Sequence, residues 1–143
     1  ARRMLAVLDK SGSLPTHLDY PMTAWRFGDD LAIVFLAGEV VVDYAVRLKR
    51  ELDWTKLWIN AWSDAIPSYI PSKRVLLEGG YEADFSQIYY EQPARYAPDI
   101  ADIIVGAVKE ALAERFGARP EAGPSPFHVH PAMDVKGASK PSK

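Results

Sequence analysis

The spacing of apolar positions changes several times along this chain, and each change marks an element. Residues 1–19 begin with a short apolar run, MLAVL at 4–8, and then meet turn formers at Gly12, Pro15 and Asp19. Loose alternation over 20–27, carrying Trp25, predicts a strand, and GDD at 28–30 predicts a tight turn. The next six positions, LAIVFL at 31–36, are continuously apolar, the pattern of a strand buried on both faces. These two strands should pair as a hairpin.

After Gly38 the period lengthens. Val41, Ala45, Leu48 and Leu52 recur at helical spacing, while Arg47, Lys49, Arg50 and Glu51 fall off that stripe. The spacing predicts a helix over 39–52, with Glu39 at its start and the bases near its end, as the helix dipole favours. Alternation returns over 56–62, with Leu57, Ile59 and Ala61 on one face and Trp58, Asn60 and Trp62 on the other. Strand, helix and strand in succession form a βαβ unit, whose crossover is expected to be right-handed.

A proline-containing loop follows at 63–72. A short helix over 73–78 should stop at Gly79 and Gly80. Residues 81–96 are aromatic and acidic, with no assignable period. A helix over 99–116 is the clearest element, with Ile100, Ile104, Ala107 and Ala111 as its inner stripe, Asp99 able to cap its start and Gly117 its end. The expected fold is therefore α/β: a partial mixed sheet with a β-hairpin, a βαβ unit and a C-terminal helix. Five prolines between 118 and 143 mark a Pro-rich tail, distinct from the domain at 1–117.

Composition narrows the function. Seventeen basic residues against 19 acidic ones give a net charge of −2, which argues against a nucleic-acid surface or a basic membrane patch. No apolar run is long enough to span a membrane. The chain has no cysteine, so a disulfide framework, a thiolate metal site and a cysteine nucleophile are excluded together. It begins Ala-Arg-Arg without an initiator Met, which reads as a removed leader or a piece of something longer. With only three histidines, His17, His128 and His130, carboxylates and hydroxyls carry the candidate chemistry.

Ligands of open α/β sheets bind outside the carboxyl ends of the parallel strands. The residues after the buried strand, with Glu39, and the loop at 63–69, with Asp64 and Tyr69, should share that edge. A carboxylate can ligate a metal or move a proton, and a phenol needs a nearby cation to ionise usefully. Each also has a plainer reading: Glu39 as a helix-start acid, Tyr69 as a loop aromatic with an exposed hydroxyl. Trp58 and Trp62 read as core more readily than as an acyl pocket. His128 and His130 read more readily as part of a surface tail than as a metal pair.

Four blocks in order, LAIVFLAGE at 31–39, RLKR at 47–50, DAIPSYIPS at 64–72 and EGGYE at 78–82, resemble the neutral/alkaline non-lysosomal ceramidases. The likeness is nearest to bacterial ceramidase-like proteins with the wording GEVVVDY and YIPSKR, and it covers roughly residues 20–115. It implies a zinc-dependent amidase that hydrolyses the N-acyl bond of ceramide or a related lipid. Zinc there is held by two histidines, a glutamate matching Glu39 and a tyrosine matching Tyr69. The family's histidine ligands and serine lie upstream of the GE block. His17, Ser11 and Ser13 do not match their contexts, and Ser63 or Asp64 stands in place of the family's asparagine.

The resemblance therefore implies the C-terminal portion of such a catalytic domain, inactive alone, with zinc in the complete protein and an exported, periplasmic or secreted, location. Self-association is expected, because a partial sheet leaves an open edge and an apolar face. The alternative is a non-catalytic α/β binding module from a split or degenerate gene. A third reading is a metal-free hydrolase that pairs Glu39 with Asp64.

Overall fold

The computed structural model describes residues 2–117. The tail and its His128 and His130 lie outside the described residues. Helix α1 (Arg2–Ser11) contributes no buried residue. Strands β1 (Met22–Phe27) and β2 (Leu31–Leu36) form the expected antiparallel hairpin, closed by Asp30 N–H donating to the Phe27 carbonyl at 3.2 Å. Chain then runs through β3 (Glu39–Val40) and α2 (Asp43–Glu51) to β4 (Leu57–Asn60), which pairs parallel with β2. The expected strand–helix–strand unit is present, in a mixed sheet of order β1-β2-β4.

Beyond it come β5 (Tyr69–Ile70), α3 (Lys73–Glu78), a π-helical turn (Tyr81–Phe85), α4 (Ser86–Tyr89) and α5 (Ile100–Phe116). Strands β3 and β5 form a second, two-stranded parallel sheet.

Alternation on β2 decides where the core sits. Ala32, Val34 and Leu36 are fully buried against α2 and α5, packing with Tyr44, Leu48, Val108, Leu112 and Phe116. Each large side chain among them is worth about 1.5–3 kcal/mol on burial. Leu31, Ile33 and Phe35 point to the other face and are only half-buried. The expectation of a strand covered on both sides is corrected: α2 and α5 cover one face of β2, and the other is only half-buried.

Three further expectations change. The helix predicted over 39–52 begins at Asp43, because the Glu39 and Val41 N–H groups donate to the Ser68 and Ile70 carbonyls at 3.0 and 3.2 Å. Glu39 thus sits in a strand and is not a helix-start acid. On α5 the buried stripe is Ala101, Ile104, Val105, Val108, Leu112 and Phe116, while Ala107 is exposed and Ile100 only half-buried. Helix α5 is apolar around most of its circumference, so spacing alone allowed two stripes; the sheet selects one. Asp99 makes no side-chain cap, and Gly117 is extended, bridging to Leu52.

Candidate functional site

The site grows from a sharp turn at the end of β2. Gly38 takes φ +72°, and a Cβ there would stand 2.6 Å from the Ser68 carbonyl oxygen. Only glycine lets the two segments approach this closely. Gly38 N–H donates to the Ala65 carbonyl at 2.9 Å, and Trp62 N–H returns to the Gly38 carbonyl at 2.9 Å. The loop after β4 is thereby laid along the chain leaving β2, and β3 and β5 fall into register with Glu39 opposite Tyr69. Opposed residues in a ladder share one face.

Glu39 and Tyr69 accordingly face each other, and the interaction with the Glu39 carboxylate is the main reason the Tyr69 hydroxyl is pushed up to about 12. Desolvation and the negative charge of Glu39 add to it. The edges of Tyr81 and Tyr90 hold the Tyr69 ring, with centroids 5.5 and 6.3 Å away. The pair opens into a crevice of about 410 Å³ that also takes in Arg74, Glu78 and Glu82.

The walls are tied together. Asp43 accepts from Arg74 through both oxygens, at 2.9 and 3.1 Å, and from the Ser72 hydroxyl. Arg74 holds the Asp43 carboxyl below its usual range, with Ser72 assisting. Ser72 also caps α3 by accepting from Val75 N–H, and the buried Tyr44 hydroxyl donates to the Pro71 carbonyl at 3.1 Å. The GEVVVDY and YIPSKR blocks therefore fold directly onto each other. Gln87 is buried and donates through Nε2 to the carbonyls of Tyr69 and Glu82, at 3.3 and 3.2 Å. Its Oε1 has no partner among the described residues. The π-helical turn, a distortion common at functional sites, brings Glu82 to the crevice.

Comparison with known proteins finds no family model, no curated protein and no solved structure that matches the chain.

The ceramidase likeness thus rests on the four sequence blocks. The structure brings two of its residues, Glu39 and Tyr69, together. Asp64 is exposed and lies outside the crevice lining, so the structure does not assemble the Glu39–Asp64 pair. His17 is exposed and bonds Thr16, and Ser11 caps its own helix by donating to the Val7 carbonyl. Trp58 and Trp62 are exposed by 59% and 54%, which corrects their reading as core. Trp62 and Asp64 both take positive φ, 55° and 63°. Such conformations in non-glycine residues are costly and are held by the surrounding contacts.

Spacing alone did not single out Arg74, Glu78, Glu82 or Gln87. The first three lay in plain view within YIPSKR and EGGYE, but only the fold turns those blocks toward Glu39.

Among the described residues, no three histidine, aspartate or glutamate side chains converge enough to hold an ion. The fit to zinc is thus that of two oxygen donors set side by side, one of them a phenol that holds its proton more tightly than usual. A cation would replace that proton and draw the phenol toward phenolate, opposite to what Glu39 does alone. A second groove, of about 970 Å³, lies between α2, α3 and α5. Its rim charges are largely matched: Arg47 with Glu51 and Asp102, Arg74 with Asp43 and Glu78.

Proposed function

We propose that this chain carries the C-terminal part of a zinc-dependent, ceramidase-like amidase site, with Glu39 and Tyr69 as two of the metal's ligands. The observation behind the proposal is the β3–β5 register, which sets Glu39 directly opposite Tyr69 at the lining of one crevice. Two residues from different blocks of the resemblance meet at one crevice, as two ligands of one ion must. Zinc, when bound, polarises an amide carbonyl and lowers the pKa of its water.

This chain's own residues set the stage for that chemistry. Tyr69, its ring set edge-on to Tyr81 and Tyr90, stands opposite Glu39 in the β3–β5 register. Arg74 is fixed by Asp43 and Glu78, so the crevice keeps one positive charge among its acids. Two protein ligands do not complete a catalytic zinc site, which has at least three. The proposal assigns the further ligands, two histidines, and the reacting serine to residues outside this sequence. The substrate class is an N-acyl lipid such as ceramide.

A second reading, a non-catalytic binding module, draws on the exposed position of His17, the one histidine before Glu39, and on a crevice lining without serine. Hydrolysis of an N-acyl sphingoid lipid by the protein expressed from its whole reading frame separates the readings. Glu39→Gln is expected to lower kcat/KM at least ~100-fold, while Asp64→Asn leaves it unchanged. Loss in both variants would favour the carboxylate pair. No hydrolysis by the unaltered protein would favour the binding module.

A further inference from the structure

We propose that the outer face of the β1-β2-β4 sheet is a docking surface for a second copy of this chain, packed sheet to sheet about a two-fold axis over Ile33. This inference is independent of the amidase reading.

The face is defined by register. Trp25 stands opposite Ile33 on β2, and Ile33 stands opposite Trp58 on β4, making one row across the sheet. Phe27 and Phe35 flank that row. Trp25 leans edge-on against Phe35 with ring centroids 4.9 Å apart. The helices cover the opposite face, so this one meets solvent: Trp25, Phe27 and Trp58 are 56%, 53% and 59% exposed. Thr23 and Asn60, which flank Phe35, are the polar positions of this face; the rest of it is apolar, where the solvated side of an antiparallel pair is ordinarily polar.

Charge and symmetry select the occupant. Arg26 is the one charged residue in the three strands, and it pairs with Ala32, on the helix-covered side. A copy docking here leaves no charge of these strands unpaired, and a strongly charged partner would find nothing to pair with. The row reads aromatic, aliphatic, aromatic from one edge to the other. A two-fold axis along β2 sets Trp25 of one copy over Trp58 of the other and Ile33 over Ile33. The same patch then serves both sides, the form that a closed dimer requires.

Area is sufficient for a weak dimer. Aromatic side chains of roughly 150–250 Å² each, a little over half exposed, leave on the order of 350 Å² in water. With the half-buried residues between them, a pair of copies would bury roughly 900–1,000 Å², below the roughly 1,200–2,000 Å² of stable specific interfaces and in the range of weak, transient ones. Association is therefore expected in the micromolar range and not as an obligate dimer.

Sedimentation of the chain across micromolar concentrations is expected to show its mass doubling. Trp25→Ser/Trp58→Ser should stay monomeric with an unchanged far-ultraviolet spectrum, because both side chains lie outside the core. The chain's lack of cysteine gives a second readout that does not depend on that double variant. Stacked sheets lie about 10 Å apart, so Ile33→Cys should be joined to its copy by a short bis-maleimide. Val42→Cys, 70% exposed at the start of α2, should not be. A chain that stays monomeric throughout would overturn the proposal. So would a dimer that persists in a folded double variant, or cross-linking at Val42→Cys and not at Ile33→Cys.

Discussion

Tyr69 is the residue on which the site turns. Its phenol is raised from 10.0 to about 12, chiefly through its interaction with Glu39, which favours the neutral form. Below pH ~10 the hydroxyl is protonated in both folded and unfolded chains. Between ~10 and about 12 the unfolded chain releases the proton and the folded chain keeps it, so this contribution to stability is lost over that window. Burial raises Tyr20, Tyr44 and Tyr96 as well, and their effect has the same sign. Ultraviolet titration should show one tyrosine near 12 that moves back toward 10 in Glu39→Gln and is missing in Tyr69→Phe. An unchanged titration in Glu39→Gln would break the assignment.

Gly38 sets the register that makes this pair. Gly38→Ala places a Cβ 2.6 Å from a backbone oxygen at φ +72°, and should cost at least ~2 kcal/mol in chemical denaturation. A near-neutral effect would mean that β3 and β5 do not meet so closely. Glu39 was legible in the sequence because it follows an apolar run, and Tyr69 because its loop follows the next strand at the same sheet edge. Their direct contact was not, since it depends on a left-handed turn and on main-chain bonds from 38–41 to 65–70, and neither leaves a period in the sequence.

At the scale of elements, the join between α2 and α3 carries the crevice wall. Ser72 caps α3 and donates to Asp43, whose other partner is Arg74. Ser72→Ala should lower stability by about 1 kcal/mol in thermal or urea unfolding. Asp43 titrates below its unfolded value, so its contribution is present above the usual carboxylate pKa and is lost as pH falls through the depressed one. Asp43→Asn should therefore flatten the acid limb of the stability curve. An acid limb identical to that of the unaltered protein would show that the Arg74 clamp is solvent-loosened.

Elements with a strict period were read well. The hairpin and the parallel β2–β4 pairing follow from alternation and from the helical stripe between them. The α2 start was misread because Val40, Val41 and Val42 suit helix and strand spacing alike, and hydrogen bonds to β5 decided between them. Residues 81–96 resisted assignment because a π-helical turn followed by a single α-turn has no repeat long enough to register.

For the molecule as a whole, two surfaces among the described residues carry the proposals. One is the Glu39–Tyr69 crevice, and the other is the aromatic sheet face. The composition that excluded a thiolate site also left carboxylate and hydroxyl oxygens as the candidate donors. The second surface was hidden by an ordinary inference: tryptophans in strands were read as core, yet only one side of this sheet is covered by the described helices.

The central claim is that Glu39 and Tyr69 bind one zinc ion, and metal content tests it without depending on substrate. Protein expressed from its whole reading frame, purified without chelator and analysed for metal, should carry about one zinc per chain. Glu39→Ala should carry essentially none while keeping its far-ultraviolet spectrum, and Tyr69→Phe should retain zinc more weakly under dialysis. Zinc held equally by Glu39→Ala and by the unaltered protein, or absent from both, would contradict the claim.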